Sequence, residues 1–167
     1  MELEQLIDTY SDYLYQISFI YTKDERVAEE VVQDVFFTYY KKSAQFQGKS
    51  SLKTYLVKMT INRSYDYLRS WKARKFPLFQ LFESKVERAD QQLLKKEARG
   101  EVVCAVLTLP VKYREVVLFY YYEHMTTKEI ARFLAIPEST IKSRLKRARQ
   151  ELKPKLAKID WEVLFDE

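Results

Sequence analysis

From Thr126 to Lys153 the chain reads TTKEIARFLAIPESTIKSRLKRARQELK, and no other stretch limits its fold so tightly. Ile141, Leu145, Ala148 and Leu152 recur at intervals of four, three and four, which aligns them along one side of a helix. Lys142, Lys146, Arg149 and Lys153 repeat those intervals one position on, so a cationic row runs beside the apolar seam. Upstream, Thr127-Lys128-Glu129-Ile130 resembles a Ser/Thr-x-x-Glu helix start, and Ala135-Ile136-Pro137 supplies a turn. A helix docked by its seam and presenting cations and hydroxyls suits the major groove of duplex DNA. A merely solvated charged helix is the alternative.

Composition extends this helical reading to the whole chain. Two Gly and four Pro among 167 residues leave little turn chemistry for hairpins, so an all-α fold is expected. A hydrophobic content of 47% in long periodic segments argues for folded structure. No run of about 18 apolar residues is present, so no membrane span is expected. MELEQLIDTYSDYLYQ lacks the basic-then-apolar pattern of a signal peptide, and a cytoplasmic location is the expectation. Cys104 and His124 stand alone in their residue types, which excludes a structural zinc site and an intramolecular disulfide. Cys104, inside VVCAVL, is expected in the core, and His124 in a loop or cap. With no nucleophile set, no plausible carboxylate pair and no Gly-rich phosphate loop, an enzyme is disfavoured. Neither a cofactor nor a small-molecule substrate is expected.

The net charge of +5 hides a strong polarity along the chain. Residues 1–40 carry −7, residues 41–75 carry +9, and residues 138–158 carry +6. Two separate basic blocks fit nucleic acid contacted at two places. The acidic block repels phosphate and needs another partner or an outward face.

The periodicity divides the chain into a helical domain at 1–75, a linker at 76–96 and a second helical domain from 97. Helices are expected from Tyr10 to Tyr21, after a cap at Thr22–Glu25, and from about Leu52 to Lys72. Ala28, Val31, Val32, Val35, Phe36 and Tyr39 share the second helix's apolar face, with Phe37 only partly covered. The linker's Phe76, Leu78, Phe79, Leu81 and Phe82 either pack between domains or dock a partner. A core helix at Val102–Leu109 precedes one opened by Pro110. The tail IDWEVLFDE packs back on the second domain or serves a partner.

The basic blocks differ in texture. In the second, Ser139, Thr140, Lys142, Ser143, Lys146 and Arg147 are placed to meet bases and phosphates, while Arg149 and Lys153 hold the backbone. Arg144 and Arg147 have local acids as alternatives, Glu151 standing four residues after Arg147. In the first block cations alternate with rings and amides: Phe46, Gln47, Lys49, Tyr55, Lys58, Asn62, Arg63, Tyr65, Tyr67, Arg69 and Trp71. Flat rings beside cations suit unstacked bases, and Gln47, Ser50, Ser51 and Asn62 offer groups for a base edge. Tyr55 and Tyr67, taken singly, read more readily as core.

Taken together, these segments resemble a bacterial RNA polymerase sigma factor of the extracytoplasmic-function (ECF) group, in the sigma-70 family. ERVAEEVVQDVFFTYYKK (25–42) is similar to the family's helix that binds core polymerase. FQGKSSLKTYLVKMTINRSYDYLR (46–69) resembles the segment that melts and captures the minus-ten element. TLPVKYREVVLFYYYEHMTTKEIARFLAIPESTIKSRLKRARQEL (108–152) resembles the minus-thirty-five reader.

The resemblance implies that Gln33 and Asp34, flanked by Glu30 and Phe37, face the coiled coil of the polymerase's largest subunit. It implies single-stranded minus-ten contacts at Phe46, Gln47, Lys49, Ser50, Ser51, Lys53, Lys58, Asn62, Arg63 and Arg69. Duplex minus-thirty-five contacts are implied at Thr127, Ser139, Thr140, Lys142, Ser143, Lys146, Arg147 and Arg149. It further implies an anti-sigma factor that covers these surfaces.

Tyr55 stands where the family favours Trp, and Thr60 and Ile61 replace frequent Ala and Arg. Ala135 and Ser139 occupy positions that often carry Gly. If position 135 needs a positive φ, Ala costs about 1 kcal/mol there. The main rival is a regulator that binds only duplex DNA and uses its first domain to dimerise or sense a ligand. It predicts no affinity for core polymerase.

Overall fold

The computed structural model describes residues 3–43, 48, 50–74 and 97–157, with the backbone alone at 71–74 and 97–99. Phe46, Gln47, Lys49, the linker strip at 76–82 and the tail from Ile159 lie outside the described residues. The fold is all-α, and contacts divide it into two compact units, Met1–Val86 and Glu87–Glu167.

In the first unit, α1 spans Leu3–Thr22. It begins well before Tyr10, because Leu6, Leu14, Ile17 and Tyr21 already hold one buried face. Lys23, at φ 56°, turns the chain, and Asp24 caps α2 (Glu25–Lys42) by accepting from the Val27 N–H at 3.1 Å. Val27, Ala28, Val31, Val32, Val35 and Phe36 bury the predicted face of α2. Ser51 caps α3 (Leu52–Arg74), its hydroxyl accepting from the Thr54 N–H at 3.1 Å.

Helix α3 buries Leu56, Val57, Thr60, Ile61 and Ser64 against its neighbours. The Ser64 and Ser18 hydroxyls meet at 3.1 Å, and Thr60 donates to the Leu56 carbonyl at 2.9 Å. Small side chains bring α1 and α3 close, and these contacts satisfy the polar atoms they bury. Leu14 is fully buried, so truncating it to Ala should cost about 2–5 kcal/mol.

In the second unit, α4 (Glu97–Leu107) leads to Pro110, whose carbonyl accepts the first bonds of α5 (Val111–Val117). A π-helical turn, Leu118–Tyr122, continues α5, and its end N–H at Glu123 reaches the Leu118 carbonyl at 3.1 Å. Then come α6 (Thr127–Leu134) and α7 (Glu138–Leu152). The seam Ile141, Leu145, Ala148 and Leu152 is buried as its spacing predicts. Ala148 and Leu152 join Ala105, Val106, Leu109, Val117 and Leu156 in one cluster, with Val102, Tyr113 and Tyr121 packed against it.

Two expectations change here. Cys104 is only half-buried, since α4 turns its neighbours Ala105 and Val106 into the core instead. Arg144 finds no local acid: it donates to Glu115 of α5 at 3.1 Å, 29 residues away. Glu115 is 2% exposed and Arg144 23%, so this pair ties α7 to α5 beneath the surface.

Candidate nucleic-acid interface and partner face

The turn between α6 and α7 is set by three local devices. Thr126, not Thr127, caps α6: its hydroxyl accepts from the Glu129 N–H at 3.2 Å while the Glu129 carboxylate accepts from the Thr126 N–H at 2.7 Å. The capping pattern is Thr126-x-x-Glu129, one residue before Thr127, where the helix itself begins. Those bonds hold the Glu129 carboxyl below its ordinary range. Ala135 ends α6 in the left-handed region, φ 56° and ψ 45°, and both its N–H and that of Ile136 reach the Ala131 carbonyl. Position 135 therefore does require a positive φ, and Ala carries the strain there.

Beyond the turn, Thr127 donates to Glu138 at 2.7 Å, bridging the first residues of the two helices. The exposed side of α7 carries Ser139, Lys142, Ser143, Lys146 and Arg147, with Thr140 half-buried. Their states differ. Lys142 lies 3.3 Å from Glu138, Ser143 donates to the Ser139 carbonyl at 2.9 Å, and Arg147 pairs with Glu151 at 3.1 Å. Lys146 has no partner among the described residues. Arg149 is drawn down instead: its Nε donates to the Tyr121 hydroxyl at 2.7 Å, and its guanidinium lies 5.6 and 5.8 Å from the Tyr120 and Tyr121 ring centres. Burial raises the Tyr121 pKa, with Arg149 acting the other way.

On α3, Lys58, Asn62 and Arg69 fall along one exposed stripe at helical spacing. Asp66 lies beside it and pairs with Arg69 at 2.5 Å. Other predicted contacts of this block leave the stripe. Lys53 sits 4.4 Å above the Tyr13 ring of α1. Arg63 donates from Nε and an Nη to one oxygen of Asp34 on α2, at 2.8 and 2.6 Å. The Ser51 hydroxyl is engaged as the helix cap, and Ser50 donates to the Ser51 carbonyl at 3.3 Å. Tyr55 and Tyr67 are half-buried, neither core nor free platforms. Burial and the nearby Asp24 and Glu30 push the Tyr67 hydroxyl up.

The outer side of α2 presents Glu30, Gln33 and Phe37, with Asp34 at its edge. Phe37 is 59% exposed and Tyr40 64%, far more than large aromatics retain in a closed core. With Leu3, Ile7 and Tyr15 of α1 and Val32 and Phe36 of α2 they line an apolar groove of about 660 Å³, rimmed by Asp12 and Glu29. Leu3, Ile7 and Tyr40 were not foreseen as part of this face. For Leu3 and Ile7 the signal is their i, i+4 spacing.

The comparisons with known proteins match this division. Residues 6–74 match the model for sigma-70 region 2, and residues 99–152 match the model for sigma-70, region 4. The chain belongs to the sigma-70 family. It is a sigma factor of the extracytoplasmic-function group. It is 29% identical over 154 residues to the ECF RNA polymerase sigma factor SigM of Bacillus subtilis, which covers 92% of this chain and 94% of that one. SigX of the same organism is 26% identical over 169 residues, covering 97% and 87%.

The solved sigma factor RpoE, in complex with the anti-sigma factor NepR from Bartonella quintana, shares the fold. Its TM-score is 0.66 at 21% identity, covering 94% of this sigma factor and 97% of that chain. CnrH, solved with the cytosolic domain of CnrY, gives 0.62 at 19%, covering 95% and 89%. Among the described residues of this sigma factor no helix is long and apolar enough to cross a membrane. No group of His, Cys, Asp or Glu there is arranged to hold a metal ion.

Proposed function

We propose that this sigma factor directs core RNA polymerase to promoters by three faces and acts in the cytoplasm without catalysis of its own. The face built from Glu30, Gln33, Asp34, Phe37 and the neighbouring groove binds core polymerase. The α3 stripe, with the loop before it, takes the unpaired minus-ten strand. Helix α7 enters the major groove of the minus-thirty-five duplex as the second helix of a helix-turn-helix. Residues 1–75 then form the polymerase and minus-ten domain, 76–96 the linker, and 97–167 the upstream reader.

The single observation that carries this reading is the contrast between the α2 and α3 surfaces. One helix of the bundle keeps large rings and carboxylates exposed, while the next keeps Lys58, Asn62 and Arg69 exposed. A protein and a polyanion are therefore served by adjacent faces of one small bundle. Trapping bases on α3 offsets an unstacking cost of a few kcal/mol per step. The solved relatives bound to NepR and CnrY support a further partner, an anti-sigma factor that covers these faces until a signal releases it. Run-off transcription with core polymerase on a promoter library tests the reading. A promoter-dependent transcript that needs this chain supports it, and none with active core rejects it.

A further inference from the structure

The row of side chains along this side of α7 starts one step earlier than its cations, at the half-buried Glu138, four residues before Lys142. An acid at that place is costly for a helix that approaches phosphates, since it repels every one of them. It is also held in position. Its Oε1 accepts from the Thr127 hydroxyl at 2.7 Å and lies 3.3 Å from the Lys142 ammonium. Both contacts fall on Oε1, and the Glu138 side chain keeps 34% of its exposure. In the groove a carboxylate finds favourable partners only in the amino groups of bases.

We propose that Glu138 and Lys142 read one G·C base pair together, Lys142 donating to guanine O6 and N7 while Glu138 accepts from cytosine N4. The match is one of spacing. In a G·C pair the O6 acceptor and the N4 donor are themselves hydrogen-bonded, about 2.9 Å apart. The Lys142 donor and the Glu138 acceptor stand 3.3 Å apart. A T·A pair repeats the acceptor–donor order, but it puts no second acceptor beside thymine O4 and sets a methyl group there instead. Thr127 serves as a positioning residue that fixes the carboxylate from the preceding helix. The proposal rests on the groove placement of α7 given above.

Binding of the full chain with core polymerase to promoter duplexes randomised upstream, at one fixed salt concentration, tests it. The wild-type protein should favour G·C at one position by about tenfold. Glu138→Ala should bring that position to within about twofold of the other pairs and leave the remaining positions unchanged. Thr127→Val, which keeps the carboxylate and removes its support, should weaken the same preference in part. A uniform affinity change with the G·C preference intact, as loss of a helix-end charge alone gives, overturns the base contact, as does flattening at an A·T position. A wild-type protein with no upstream preference overturns the promoter reading itself, and the base contact falls with it.

Discussion

Arg63 clasps a single carboxylate oxygen of Asp34 with two of its nitrogens, and so joins the face read as polymerase-binding to the helix read as DNA-binding. Arg63 keeps 54% of its side-chain exposure and Asp34 49%. A pair so open to solvent contributes less than about 1 kcal/mol. Its interest lies in competition, since a polymerase that takes Asp34 frees Arg63. Asp34→Asn should therefore lower core affinity while shifting unfolding free energy by less than about 1 kcal/mol. Calorimetric titration with core polymerase and denaturant unfolding check the two parts. Undiminished core affinity contradicts the assigned face. Asp34→Arg is a poorer probe, because it sets a like charge against Arg63.

Lys142→Ala should weaken binding to the preferred upstream duplex by about 1–3 kcal/mol and cost random DNA less. Fluorescence anisotropy with both duplexes at matched salt measures the difference. Equal losses on the two reduce Lys142 to a phosphate contact.

Arg149 sits against Tyr120 and Tyr121 and bonds to the Tyr121 hydroxyl, so its first duty is to hold α7 against the π-helical turn. Arg149→Ala should destabilise the second unit by about 1–2 kcal/mol in denaturant unfolding. Arg149→Lys keeps the charge and should restore only part of that loss. A purely DNA-facing arginine gives no stability change in either variant.

Acid should loosen the turn. Glu129 is held below the ordinary carboxylate value of 4.5 by the backbone and hydroxyl of Thr126. A depressed folded pKa gives stability that is present above 4.5 and lost as pH falls through the lower folded value. Glu138, lowered chiefly by the Thr127 hydroxyl and then by Lys142, behaves in the same sense. Glu129→Gln keeps a capping amide and should remove part of the acid-side loss in thermal melts taken from neutral pH downward. An unchanged pH profile contradicts the capping role. Thr126→Ala should cost about 1 kcal/mol at neutral pH.

Ala135→Gly should stabilise the second unit by about 1 kcal/mol, since the left-handed conformation at φ 56° costs glycine nothing. Denaturant unfolding of the two proteins measures it. A loss of stability means that the turn relies on the alanine methyl.

Periodicity made the helices legible because burial follows the i, i+3, i+4 rule: the seam of α7 and the apolar face of α2 both read off directly. The start of α1 was missed because acidic and polar residues dilute its first turns, although Leu3 and Ile7 keep the spacing. The candidate interface was legible as residue types and not as states. Nothing in linear spacing reveals that Arg149 lies on Tyr121, that Arg144 reaches Glu115, or that Arg63 turns to Asp34. Those partners stand 28 or 29 residues away, and only the packing of helices brings them together. Thr127 has the residue type of a cap but bonds to Glu138 eleven residues on, a partnership that linear spacing does not reveal.

Run-off transcription with purified core polymerase, scored on a promoter library with and without this chain, tests the central claim most directly. Transcripts should start only when the chain is present, from templates sharing one upstream and one minus-ten element at fixed spacing. Loss of those starts with Asp34→Asn, at unchanged upstream duplex binding, should accompany them. Active core polymerase that gives no chain-dependent start on any template contradicts the assignment.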